Sequence, residues 1–154
     1  MHDVTQEEIN EYMSVAQRSM LQFQLIEEGL KAHISIAHQV IQASIPAELH
    51  FKFSNEEIDS MPLERLINTF TRYTRNKSLV KQLNGIRDLR NHVAHRAFAL
   101  AFFSTFDEES DFPGDFAKVK QAQANSASAF LALKKEIDLV DSILKRTGGQ
   151  KGVA

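Results

Sequence analysis

An arginine, an asparagine and a histidine stand close together in the segment Arg90-Asn91-His92-Val93-Ala94-His95. Arginine offers a planar fork that grips a phosphate through two hydrogen bonds and stabilises charge building on its oxygens. Histidine has the side-chain pKa nearest neutrality, so His95 is a candidate general acid or base. Asn91 is placed to orient His95 or to bind a phosphate oxygen. The combination suits phosphodiester chemistry. In RNA the 2′-hydroxyl beside each phosphate is a built-in nucleophile, so no metal or other cofactor is required.

The element that must position these groups is the stretch Leu79–Phe103. Leu79, Leu83, Ile86, Val93, Ala97 and Leu100 recur at alternating steps of four and three, which predicts one helix with one apolar stripe. Arg90 occupies a place in that stripe where an apolar residue belongs. A buried guanidinium needs a partner, a cleft or another subunit. On the neighbouring strip gather Val80, Arg87, Asn91, His95, Phe98 and Phe102. A solvated face would not spend two phenylalanines, and a plain core would not hold Asn91 and His95. The mixture fits a protein–protein interface that carries polar chemistry, with Phe98 and Phe102 as dimer contacts. The spacing also sets a constraint. Five residues correspond to about 140° around a helix, so Arg90 and His95 do not converge within one straight copy. Two copies face to face would bring both into one cleft.

The Arg-Asn-x-x-x-His pattern late in a long helix of an all-helical chain resembles the motif of the HEPN superfamily. The match rests on this helix, and the rest of the chain resembles the family by architecture alone. The resemblance implies an up-and-down bundle of four or five helices. It implies dimers in which two motifs form a composite site that cleaves RNA without metal. It also implies a toxin or antiphage effector acting beside a neutralising antitoxin protein. Arg90, Asn91 and His95 are the residues carried over as catalytic. Arg87, Arg96 and Glu27 are additional, weaker candidates for substrate binding, and they come from charge and position only. His92 reads as a bystander beside His95. The two do not make a metal site, because no HExxH motif and no third ligand accompany them.

Charge is distributed unevenly. The net charge is only −2, which excludes a generic polyanion binder. Yet between residues 65 and 96 stand Arg65, Arg72, Arg75, Lys77, Lys81, Arg87, Arg90 and Arg96 against the single acid Asp88. The loop that follows reverses the sign with Asp107, Glu108, Glu109, Asp111 and Asp115. A local basic patch can hold phosphate on an acidic chain. The chain has no cysteine, which removes disulfide and thiolate chemistry. Its N-terminus is acidic and polar, unlike a secretory signal, and no run of 18 apolar residues crosses a membrane. A cytoplasmic, bacterial-type protein is the expectation.

Taken in order, Thr5 with Glu8 forms a capping box. The stripe Ile9, Met13, Ala16, Met20, Phe23, Leu30, Ile34, Ala37 and Ile41 holds its phase from there. It predicts one helix from about Gln6 to Gln42, with a break near Gly29 as the alternative. Glu27 interrupts the middle of this stripe as Arg90 interrupts the other, so the two are expected to pair. A connector follows from Ser44 to Met61 between Pro46 and Pro62, with a short turn of helix after Ser54. A helix over Leu63–Tyr73 buries Leu63, Leu66, Ile67 and Phe70, with Pro62 suited to its first position. Ser78 is the expected cap of the central helix. After the acidic loop 106–114, a last helix over Asp115–Lys145 carries Phe116, Val119, Ala127, Phe130, Leu133, Ile137, Val140 and Leu144. Its middle is rich in small residues that permit close helix approach. The expected organisation is one all-α domain over 1–146, a bundle of four main helices plus a short accessory helix, and a flexible tail over 147–154.

Two other functions fit the same sequence. One is a non-catalytic HEPN module binding RNA, a nucleotide or a protein partner. The other is a helical interaction protein whose motif is coincidence, in which Arg90 makes an internal ion pair and the Asn91/His95 face is solvated.

Overall fold

Five helices make up nearly all of the residues that the computed structural model describes, 4–103 and 112–151. They are α1 (Gln6–Ser44), α2 (Asn55–Asp59), α3 (Leu63–Thr71), α4 (Lys77–Phe103) and α5 (Phe112–Lys151). There is no strand among the described residues, so the chain is all-α. No described helix is long and apolar enough to cross a membrane.

The capping box starts α1 as the sequence requires. The Thr5 amide donates to Glu8 Oε2 at 2.9 Å, and the Glu8 amide donates to Thr5 Oγ1 at 3.2 Å. The helix then runs unbroken through Gly29 to Ser44. Local caps differ from expectation elsewhere. Asn76, not Ser78, caps α4: its side-chain oxygen accepts from the Leu79 amide at 3.0 Å, and its carbonyl accepts from Val80. Asparagine two places earlier fills the N-cap role, and Ser78 becomes the second helical residue. Pro62 is the N-cap of α3 rather than its first residue. The last helix begins three residues before Asp115 and continues past Lys145 to Lys151, into the predicted tail. Thr147 donates back to the Ile143 carbonyl at 2.8 Å, and Gly148 does not take the left-handed conformation that ends helices.

The chain direction follows from which residues meet. Tyr12 of α1 stacks near Phe112 and Phe116 of α5, and Gly29 lies against Leu133. Both numbers rise together, so α1 and α5 run parallel. The contacts of α4 run the other way: Gln82 reaches the Asn125 carbonyl, and His92 reaches Asp115. The consecutive helices α3, α4 and α5 alternate in direction, as short connections favour. The connection from α1 to α3 is different. It leads the chain back along α1, where Asn55 accepts a hydrogen bond from Ser35 at 3.0 Å. That return makes the two longest helices parallel neighbours.

The core forms where these faces meet. Phe23, Ile26, Leu30 and Ile34 of α1 pack with Leu66 and Phe70 of α3, Leu79, Leu83 and Ile86 of α4, and Leu133 of α5, all essentially buried. On α5 the buried face is offset from the predicted stripe. Ala127 is exposed, while Ala122, Ser126 and Ala129 are buried. Small residues seat this face closely, and the Ser126 hydroxyl is satisfied by the Ala122 carbonyl at 2.6 Å. The two internal glycines of α1 and α4 have opposite roles. A Cβ at Gly29 would stand 2.8 Å from Leu133 Cδ2, whereas one at Gly85 would meet nothing within 4 Å. Gly85→Ala should therefore raise stability by about 1 kcal/mol through helix propensity. Gly29→Leu should lower it by about 1–3 kcal/mol through overpacking. Urea unfolding midpoints of the two variants against wild type check both signs.

Candidate functional site

The second half of α4 carries Arg87, Arg90, Asn91, His92, His95 and Arg96. Arg90 lies 2.8 Å from Glu27 Oε1 of α1, through its Nη1. The expected pair is formed. Both members are partly sheltered, with the Glu27 side chain 21% and the Arg90 side chain 35% exposed. Each breaks the apolar stripe of its own helix, and each supplies what the other needs at the seam. Asn91 and His95 are exposed, side by side in sequence with this seam but turned away from it. Arg90 and His95 are thus not brought together within one copy. An internal ion pair with an exposed Asn91/His95 face is also what a plain helical interaction protein would show.

A second cluster was not expected from the sequence. Asp115, in the first turn of α5, is buried with a side chain only 8% exposed. His92 Nε2 lies 3.1 Å from its Oδ1, and Arg96 Nε lies 3.4 Å from its Oδ2. Neither His92 Nε2 nor Asp115 Oδ2 has an aligned hydrogen-bond partner, and the Arg96 contact acts through charge proximity. Burial and then the Asp115 charge push the Tyr12 phenol up to about 12, against an opposing effect of Arg96. Arg96, a candidate substrate contact, therefore faces a carboxylate of its own chain while its side chain stays 43% exposed. The sequence groups Asp115 with the acidic loop and also makes it the start of the last helix, and it is helical in α5. Its burial beside Tyr12 comes from tertiary packing.

The basic segment is partly neutralised in the same manner. Arg65 lies 3.4 Å from Glu57, and Arg87 lies 3.8 Å from Glu64 and 3.4 Å from Asp88. With Arg90 and Arg96, four of its eight cations face acids, most of them from other helices. Arg72, Arg75, Lys77 and Lys81 are in no ion pair among the described residues. No group of three or more metal-ligating side chains occurs among the described residues. The side chains of Phe98 and Phe102, the expected dimer contacts, lie outside the described residues.

Two further histidines, without an assigned role in the sequence, are held by aromatic neighbours. His38 Nε2 is 2.8 Å from the Tyr73 hydroxyl, and its ring is flanked by Phe51 and Phe53. His33 is 3% exposed, meets Phe70 edge to face at 4.7 Å, and has a buried Nδ1 without a hydrogen-bond partner. Burial lowers its pKa to about 4, and the Glu136 carboxylate opposes this only in part. A histidine depressed in the folded state contributes stability that is present above the unfolded pKa. That contribution is lost as pH falls from about 6.5 through 4, because the unfolded chain takes up the proton first. The loss should reach about 3 kcal/mol below pH 4, and His33→Leu should remove it. Urea unfolding of both proteins between pH 7 and 4 checks the difference in slope.

Comparison of the chain with protein-family models, with curated proteins and with solved structures found no significant match.

Proposed function

We propose that this protein is a metal-independent endoribonuclease of HEPN type, acting as a homodimer. The observation that supports it best is the division of labour on α4. Arg90 is fixed at the α1 seam by Glu27, 2.8 Å away, while Asn91 and His95 stay open to a partner surface. A phosphate-binding cation must be held in place to stabilise charge without reorganising, and the proton-transferring group must be reachable. In this proposal Arg90 keeps one side of its fork on Glu27 and offers the remaining N–H groups to the scissile phosphate. His95 removes the 2′-hydroxyl proton. The oxygen then attacks phosphorus, the P–O5′ bond breaks, and the departing oxygen takes a proton from water. The products carry a 2′,3′-cyclic phosphate and a 5′-hydroxyl. Asn91 orients the phosphate or the imidazole. The second copy supplies the convergence that about 140° of helical rotation denies to one. Action as a toxin or antiphage effector checked by an antitoxin protein belongs to the same proposal.

One observation favours a second function, a non-catalytic HEPN module that binds RNA, a nucleotide or a protein. Arg87 and Arg96 face acids of their own chain, so the phosphate-binding surface is smaller than the sequence count of cations suggests. A plain helical interaction domain is the third.

RNA cleavage in EDTA separates them. Wild type should cut RNA and leave 2′,3′-cyclic phosphate ends, and His95→Ala should lose about 10²–10⁴-fold in rate. Arg90→Ala should be comparably impaired. Glu27→Gln, which leaves Arg90 without its anchor, should fall between these variants and wild type. Absence of cleavage across several RNAs, with binding retained, moves the assignment to the binding module. Absence of both leaves the plain interaction domain.

A further inference from the structure

A cavity of about 450 Å³ opens between α1, the α3–α4 junction and α5. It is remote from the Arg90–His95 segment and is not used in the proposed reaction. Because α1 and α5 run parallel here, its lining is ordered along their length. His33 and Glu136 stand at one level with Arg75 and Asn76 of the junction. Leu139 lies just under one turn further along, and Val40, Ile41 and Ile143 about two turns. The cavity is therefore polar at one end and apolar at the other, with a length of about 12 Å from the rise of the eight residues between His33 and Ile41. Its size is within the range of small-molecule sites.

The polar end contains unspent hydrogen-bonding capacity. Glu136 Oε2 accepts from the Thr74 hydroxyl at 3.2 Å, but no cation faces this carboxylate in an ion pair among the described residues. Arg75 is likewise in no ion pair. Asn76 uses its oxygen to cap α4, which leaves its NH₂ group as a donor. His33 is 97% removed from solvent, and its Nδ1 has no partner. A buried polar atom without a partner is costly, and few occur in a native fold. Burial also keeps this imidazole neutral at pH 7, so it can donate to an anion or accept from a cation.

We propose that this cavity is a binding site for a free α-amino acid with a large apolar side chain. The ammonium meets Glu136, the carboxylate meets Arg75 and the Asn76 amide, and His33 completes the head-group contacts. The side chain lies between Val40, Ile41, Leu139 and Ile143. A ligand with only one charge would leave either the carboxylate or the guanidinium unmatched. A ligand with no apolar part would leave the greater part of the wall exposed to water. The assignment is independent of RNA cleavage.

Calorimetric titration of the full chain with L-phenylalanine and L-leucine tests it, with 3-phenylpropionate and phenethylamine as comparators that each lack one head-group charge. Both amino acids should bind, and each comparator should bind about tenfold or more weakly. Glu136→Gln should weaken L-phenylalanine about tenfold, and Arg75→Gln several-fold because Arg75 is the more exposed. Val40→Trp fills the apolar end without touching the head-group contacts and should abolish binding. Circular dichroism and thermal midpoints establish that each variant is folded. In wild type the His33 ring protons should shift on titration, which reads the site without any substitution. The proposal is overturned by absence of binding and of His33 shifts, or by a comparator that binds as tightly as L-phenylalanine. It is also overturned by a concentration-dependent dimer that Val40→Trp disrupts, which would make the cavity an interface between copies.

Discussion

The parallel seam between α1 and α5 constrains everything else in the molecule. At Gly29 the backbone of α1 comes so close to Leu133 that a methyl group would stand 2.8 Å from its terminal carbon. Interiors at this density transmit misfit rather than absorb it. A small side chain at position 29 would force the Leu133 terminal methyl to shift, and a large one would overpack the seam. The seam starts at Tyr12, which packs against Phe112 and Phe116, and extends to the cavity beside Ile41 and Ile143. The return connector makes it possible. Without a segment that brings the chain back along α1, helices joined by short links would alternate, and the longest pair would be antiparallel.

Helix α4 crosses this seam in the opposite direction, and its polar side chains are distributed between the two partners. Arg90 turns to α1 and meets Glu27. His92 and Arg96, two and six residues on, turn to α5 and meet Asp115. A half-buried pair such as Arg90–Glu27 contributes modestly to stability on its own, since desolvation offsets much of the attraction. Its effect on register is larger. Sliding α4 by one turn would take Arg90 away from Glu27 toward the buried apolar side chains of α1, and breaking a sheltered pair in this way is costly. The charged contacts thus fix which turn of α4 faces which helix, while apolar burial supplies the cohesion.

Much of this was readable from periodicity. The alternating steps of α1 and α4 place Phe23, Leu30, Ile34, Leu79, Leu83, Ile86 and Val93 in the core, and the structure buries all of them. The two charged interruptions, Glu27 and Arg90, were readable as partners because an isolated buried charge is not tolerated. Tyr12, Ser19 and His33 were less legible. Polar atoms argue against burial, and only the tertiary contacts reveal that Ser19 is satisfied by the Val15 carbonyl and that His33 rests on Phe70. The phase of α5 was misplaced around Ala127 because a run of alanine and serine has almost no hydrophobic contrast from one face to the next. Asp115 could not be separated from its acidic neighbours by composition. The neutralisation of the basic segment was invisible for a related reason: Glu27, Glu57, Glu64 and Asp115 lie outside the window in which the cations cluster or belong to other helices.

The rotation between Arg90 and His95 remains the decisive geometric fact about α4. With Arg90 anchored toward α1, the imidazole at position 95 cannot swing to the same phosphate without unwinding the helix. Losing helical hydrogen bonds for that purpose would cost more than one catalytic contact returns. In the proposed dimer a second α4 meets the exposed Asn91/His95 face, so the other copy supplies its residues with no backbone change. In a twofold arrangement each His95 faces the other copy's motif, and the site is duplicated by symmetry. The proposed chemistry and the proposed dimer are therefore a single claim. A protein that remained monomeric at every concentration would lose the reaction along with the interface. One that dimerised through another face would keep its fold and still leave Arg90 and His95 apart.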